Sequence, residues 1–273
     1  MTFSELTKAA AGGDNEALFK LGVAYAKGDG VKADEALAAD CFRRAAEAGH
    51  VKAVFNYANR LLKGQGVKKD EAAAARLYRQ AADKGHAKSM LKLGGMHDEG
   101  VGVKQDYALA MDWYRRSAEA GEARAAFNLG VLFDEGLGLE EPDFEQAAHW
   151  YRVAAEKGDA RAAHNLASLY EDGDGVEEDM KEALRWYRFA AERGDHTAQL
   201  TLAARLTEGD GVPPDEVEAY AWYAVAAAEN DKASVKGRDS LGHRLGRRLA
   251  AGKARAEELA ALVKANVAAA KGA

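Results

Sequence analysis

The sequence predicts an all-α solenoid: six stacked helix–turn–helix repeats, with a half-repeat cap at the N-terminus and a helical cap at the C-terminus. Three observations carry that prediction. One residue frame returns six times, starting at Asp14, His50, His86, Glu122, Asp159 and Asp195 in steps of 36, 36, 36, 37 and 36 residues. A period in that range marks an array of supersecondary units. Small and apolar residues recur inside each copy at helical spacing. A pair of glycines followed by an aspartate divides each copy at the same place. An array of this kind works through an extended surface rather than an enclosed pocket.

The elements follow in chain order. Residues 1–13 read as the last half of a repeat, with Leu6, Ala9, Ala10 and Gly13 at second-helix positions; a terminal unit must cover an exposed apolar face. In each first helix, offset seven from the start is Leu21, Tyr57, Leu93, Leu129, Leu166 or Leu202. Offset eight is always small (Gly22, Ala58, Gly94, Gly130, Ala167, Ala203), and offset eleven is bulky (Tyr25, Leu61, His97, Phe133, Tyr170, Leu206). A helical glycine costs roughly 1 kcal/mol relative to alanine, so its return at one offset predicts a neighbour too close for a side chain.

Glycine pairs such as Gly28 and Gly30, Gly64 and Gly66, or Gly173 and Gly175 stop the first helix by supplying left-handed backbone angles. Asp34, Asp70, Asp106, Asp143, Asp179 and Asp215 then open the second helix, where an aspartate accepts from orphan N–H groups. Gln146, Glu182 and Glu218 stand three residues after three of these aspartates, a capping-box spacing. Pro142 falls in the loop that holds the single extra residue. Trp113, Trp150, Trp186 and Trp222 recur within the second helices as core positions. Beyond Asp231, Leu241, Leu245 and Leu249 continue a helical stripe; Gly252 is expected to break it, leaving residues 253–270 as a closing helix.

The pattern resembles the Sel-one-like repeat, a relative of the tetratricopeptide repeat with a longer loop between its helices. Copy five carries it nearly throughout, from Ala162, Leu166, Tyr170, Gly173, Gly175 and Val176 through Asp179, Ala183, Trp186, Tyr187, Ala190, Ala191 and Gly194. Copy two departs most, with Tyr57-Ala58 for Leu-Gly and Leu77 for the tryptophan. The resemblance implies a right-handed α/α superhelix over one solenoid domain, 1–273, with caps at 1–13 and 231–273 around repeats spanning 14–230. It also implies a non-enzymatic scaffold or adaptor that binds a protein or peptide segment on its concave face.

By the same resemblance, offsets two, nine, twelve and thirteen point into that face. Offset two supplies Lys52, Lys88, Arg124 and Arg161, a basic ladder near helix N-termini; offset nine supplies Asn59. Offset twelve supplies Asp98, Asp134 and Glu171 near helix C-termini. Both charge placements oppose the helix dipole, at roughly 0.3–1 kcal/mol each, which a bipolar peptide groove would explain. Asn56, Asn128 and Asn165 share offset six and are read as structural.

Composition narrows the function classes. The 273 residues carry a net charge of −6, but 231–273 hold ten Lys/Arg against four acids, for +6, leaving −12 elsewhere. Arg244, Arg247 and Arg248 form a candidate basic patch on the cap, for an acidic partner or for self-association. The acidic body and the lack of aromatics among those basic residues argue against nucleic acid. Cys41 is the only cysteine, so no disulfide closes within the chain. The start carries no apolar signal core and no segment reaches membrane-spanning length; a cytoplasmic monomer without a membrane partner is the expectation. The seven histidines form no H-E-x-x-H and no cysteine cluster accompanies them, so no metal or other cofactor is expected. Neither G-x-S-x-G nor S-x-x-K occurs. A cysteine-rich branch of the resembled family is associated with β-lactam or peptidoglycan hydrolysis. That remains the alternative function, although one cysteine does not match a pair per repeat. A self-assembling structural protein is the third reading.

Overall fold

The structure is a computed structural model, described over residues 1–209, 211–229 and 231–272. It is helical throughout, with no strand among the described residues. Residue 13 precedes the first hairpin, whose helices follow α1 (Phe3–Ala11): α2 (Asn15–Lys27) and α3 (Glu35–Glu47). The following hairpins are α4 (Val51–Lys63) with α5 (Glu71–Ala82), and α6 (Ala87–Glu99) with α7 (Tyr107–Glu119). Then come α8 (Ala123–Asp134) with α9 (Phe144–Glu156), α10 (Ala160–Asp172) with α11 (Met180–Ala191), and α12 (His196–Glu208) with α13 (Glu216–Ala226). The C-terminal helices are α14 (Lys232–Leu245) and α15 (Leu249–Gly272).

The chain forms two compact units, Met1–Ala125 and Ala126–Ala273. Within the first, each helix packs on the next in chain order from α1 to α7. Within the second, α9 to α13 do the same, and α13 carries both α14 and α15.

One local recipe builds each hairpin. Asp34, Asp70 and Asp106 in the first unit accept from N–H groups of the second helix, and Asp143, Asp179 and Asp215 do so in the second. The backbone N–H of each of these aspartates donates back to the offset-eleven carbonyl of the preceding first helix, as in Asp70 to Leu61 and Asp179 to Tyr170, both at 2.9 Å. That bond corrects the capping-box expectation. The cap's N–H is already taken, and Glu218 instead engages Arg188 and Arg255. The box that does form is Thr2 with Glu5, at the start of α1.

The second glycine of the turn is held by backbone. A Cβ on Gly66 would meet the Glu35 carbonyl, and one on Gly175 the Phe144 carbonyl carbon at 2.2 Å. The turns at Gly66, Gly102 and Gly175 therefore rest on the start of the preceding repeat's second helix, and all three glycines have positive φ. The offset-eight glycines face aromatic rings: a Cβ on Gly94 would lie 2.4 Å from the Tyr114 ring and one on Gly130 2.6 Å from Tyr151. Trp113, Trp150, Trp186 and Trp222 are buried, and Cys41 is a buried free thiol that burial pushes above its usual range.

The C-terminal cap departs from the expected break. Gly246, with φ 52° and ψ −115°, ends α14. Gly252 lies inside α15, buried where a Cβ would meet the Tyr220 ring at 2.8 Å. The glycine expected to break the helix is there because a ring packs against it. No helix among the described residues is long and apolar enough to cross a membrane.

Candidate functional site

In the first unit, the first helices α2, α4 and α6 bring together Phe19, Lys52, Phe55, Asn56, His86, Lys88 and the nearby Glu122 around an open cavity of about 400 Å³. Lys52 and Lys88 are exposed at offset two, as is Arg124. Among the described residues none of the three has a carboxylate within ion-pair reach. Phe19 and Phe55 are half-buried and form the apolar part of the lining. Phe19 stacks on His50 at 4.6 Å, and Phe55 tilts on His86 at 4.9 Å.

Two further groups shape the potential. Lys92 sits at offset six, where copies two, four and five carry asparagine and copy one carries Lys20. Burial pushes its ammonium below the usual lysine value, and the like charges of Arg124 and Lys63 add to the effect against Glu99. His86 caps α6 without a side-chain bond to its backbone, meeting the Ser89 hydroxyl at 2.9 Å instead. Burial lowers its pKa, and Lys88 and Lys52 add to this while Glu122 opposes it. The surface is therefore a cationic strip with aromatic edges. In copy one Glu16 takes the offset-two position, paired with Lys20 at 3.2 Å and His50 at 2.9 Å.

The other sequence-predicted residues are engaged internally. Asn59 accepts from the Tyr78 hydroxyl at 2.8 Å and donates to the Phe55 carbonyl at 3.1 Å. Tyr114 donates to Asp98 at 3.1 Å, Tyr151 to Asp134 at 2.8 Å and Tyr187 to Glu171 at 2.9 Å. Glu171 also pairs with Arg205. In α5, α7, α9 and α11 the second-helix tyrosine thus reaches a polar group on the first helix of its own hairpin, whereas α3 carries Phe42 at that position. In the second unit Arg161 donates to Asp159 at 2.8 Å and lies over the Phe127 ring at 4.0 Å. Asn165 bonds the Tyr151 hydroxyl, which burial holds far above the usual tyrosine value. Arg244 and Arg248 clamp Glu216 at 2.5 and 2.6 Å, tying the cap to α13, and Arg247 is exposed.

Sequence reasoning passed over Lys92 and His86 as site residues, and read Phe19 and Phe55 at offset five as inter-helix packing with some exposed edge. The signal for Lys92 was that it interrupts the asparagines of copies two, four and five at offset six, as Lys20 does in copy one. Among the described residues no cluster of His, Cys, Asp or Glu could hold a metal ion.

The repeats can now be set beside known proteins. No curated protein sequence matches this chain. A Sel1 repeat protein from Oxalobacter formigenes of known structure is 35% identical, over 78% of this chain and 85% of that one, with a TM-score of 0.66. The protective antigen c5321 of uropathogenic Escherichia coli, which displays an SLR fold, is 24% identical over 99% of this chain and 74% of its own, with a TM-score of 0.49. The Sel1 repeat model matches at residues 15–50, 51–86, 87–122, 123–159, 160–195 and 196–231. With six consecutive repeats matched in register, the chain belongs to the Sel1 repeat family.

Proposed function

We propose that this protein is a non-catalytic adaptor that captures an acidic segment of a partner protein on the first-helix face of its first unit. Sel1 repeat proteins are generally protein-interaction scaffolds, and the proposal adds a place and a chemistry. The observation that carries it is the exposed set Lys52, Lys88 and Arg124 beside half-buried Lys92, without ion-pair partners among the described residues. Like charges held together near helix N-termini repel one another and oppose the dipole, and an acidic segment relieves both penalties. The edges of Phe19 and Phe55 supply the apolar contact that turns charge attraction into a seated complex. Asp98, Asp134, Glu171 and Asn59 serve the hairpins rather than the partner, and Arg244 and Arg248 serve the cap.

The test is peptide display against the full-length protein. Selected peptides are expected to be rich in Asp and Glu around an apolar residue, and to bind more weakly as ionic strength rises. Lys88→Glu combined with Arg124→Glu is expected to weaken them at least about tenfold, or ~1.4 kcal/mol, with helicity unchanged. Undiminished binding by that variant contradicts the proposal. A chromogenic β-lactam is expected to remain intact with the protein, and turnover would overturn the non-catalytic reading.

A further inference from the structure

In the first unit, Glu16 at offset two of copy one reaches the residue that caps the first helix of copy two. His50 Nε2 meets the Glu16 carboxylate at 2.9 Å, and His50 Nδ1 accepts the Ala53 N–H at 3.1 Å, so both ring nitrogens are engaged. One repeat further on, the same two positions hold Lys52 and His86, two bases. The next pair is Lys88 and Glu122, and copies five and six supply Arg161 and Asp195, each a base with an acid. Of these four pairs, only Lys52 with His86 lacks a carboxylate.

His86 is half-buried and lines the open cavity together with Lys52, Phe55, Lys88 and Glu122. Each neighbouring element contributes to its surroundings. From α4 come Lys52 and the Phe55 ring, 4.9 Å away. From α6 come Lys88 and the Ser89 hydroxyl, 2.9 Å from Nδ1. Glu122 stands just before α8, and α5 meets His86 through the Ala81 carbonyl, which accepts the His86 N–H at 3.1 Å. Nε2 has no hydrogen-bond partner among the described residues, and it is not closed off from solvent. Ser89 suits either protonation state, since a hydroxyl donates to a bare Nδ1 and accepts from Nδ1–H.

Burial disfavours the imidazolium first, Lys88 and Lys52 add to that, and Glu122 opposes them; the positive end of α6 acts with the lysines. His86 is therefore held neutral at neutral pH. We propose, on the adaptor reading above, that a carboxylate of the captured acidic segment seats between Lys52 and His86, in the place that Glu16 has beside His50, and that the His86 imidazole takes up a proton from solvent as the complex forms. Once the carboxylate is seated, Nε2–H of the imidazolium donates to it, and its charge offsets the lysine repulsion. A ligand that favours the protonated imidazole binds more tightly where that proton is available. Affinity therefore rises as the pH falls toward the value of the free imidazole, which lies below 6.5, while the carboxylates of the segment stay ionised.

The test is titration calorimetry of the full chain with an acetylated, amidated hexapeptide of alternating Glu and Phe. It is run at constant ionic strength at pH 8, 7 and 6, in two buffers of different ionisation enthalpy. The peptide is expected to bind at least about threefold more tightly at pH 6 than at pH 8, with buffer-dependent heats that report proton uptake. His86→Asn is expected to flatten that pH dependence, whatever affinity it retains. Lys52→Glu, which installs the arrangement of copy one, is expected to abolish the proton uptake, because His86 then has a carboxylate before the peptide arrives. Should either variant fail to fold, the His86 imidazole is titrated by NMR in the unmodified protein, free and peptide-bound, and its midpoint is expected to be higher in the complex. Affinity and heats indifferent to pH and buffer, a pH dependence undiminished in His86→Asn, or a midpoint unmoved by bound peptide would each overturn the proposal and leave the adaptor reading standing. Absence of binding at every pH would overturn the acidic-segment reading and this proposal with it.

Discussion

Gly94 and Gly130 have no side chains because the rings of Tyr114 and Tyr151 occupy the space a Cβ would take. Gly94→Leu is expected to destabilise the protein by about 1–3 kcal/mol through overpacking, measured by urea unfolding. Gly95→Ala is the contrasting control. Its Cβ would meet the Tyr114 hydroxyl at 3.5 Å, an ordinary contact, so it is expected to raise stability by up to about 1 kcal/mol. A destabilised Gly95→Ala or an unaffected Gly94→Leu would contradict this packing. The close approach at offset eight was legible in the sequence because small residues returned there. The use of the tyrosine hydroxyls was not: periodicity shows that Tyr151 faces the core, but not that its O–H reaches Asp134 at 2.8 Å. The joint recurrence of a second-helix tyrosine with an acid at offset twelve was the available signal. Tyr151→Phe is accordingly expected to cost about 0.5–1.5 kcal/mol, the net worth of a typical hydrogen bond, by the same unfolding measurement.

Single helices differ mainly at their ends. Asp14, Asp159 and Asp195 accept from first-turn N–H groups, whereas His86 at the start of α6 does not. His86→Asp is expected to stabilise the protein by about 1 kcal/mol, the usual worth of an N-cap, measured at neutral pH. Its acid response follows from the sign of its shift. The folded protein holds His86 below the ordinary value of 6.5, first through burial. The unfolded chain therefore binds the proton more readily, and stability falls as the pH drops through about 6.5 toward the folded value. Comparing unfolding free energies between pH 7.5 and pH 5 should show a smaller acid loss in His86→Asp than in the unmodified protein; an equal loss would contradict the assignment. The aspartate caps and glycine stops were readable because each has a local cause. The path of α15 was not, because the Tyr220 ring that accommodates Gly252 comes from α13, 32 residues earlier in the sequence. Glu218 shows the same limit. Burial pushes its carboxyl up, yet its bonds to Arg255 and Arg188 bring it below the ordinary value, and nothing in local spacing announces that pairing.

At the scale of the molecule, charge is divided rather than spread, with −12 over residues 1–230 and +6 over 231–273. Part of the tail's excess is used where α14 and α15 meet α13, through Arg244, Arg248 and Arg255. Within the first unit, the strip of Lys52, Lys88, Lys92 and Arg124 lies on first helices whose other faces are occupied by packing. The six-fold frame and its hairpins were fully legible, since identical local chemistry was printed six times. The candidate site was half legible: the frame placed the basic ladder, but only coordinates separate residues already bonded within a hairpin from those left to a partner. The most direct measurement is hydrogen exchange of the full chain with and without a display-selected acidic peptide. Slowed exchange in α4 and α6, with α5, α7 and α13 to α15 unchanged, is the predicted footprint. Protection confined to α5 and α7 or to the C-terminal cap, with α4 and α6 unaffected, would contradict it.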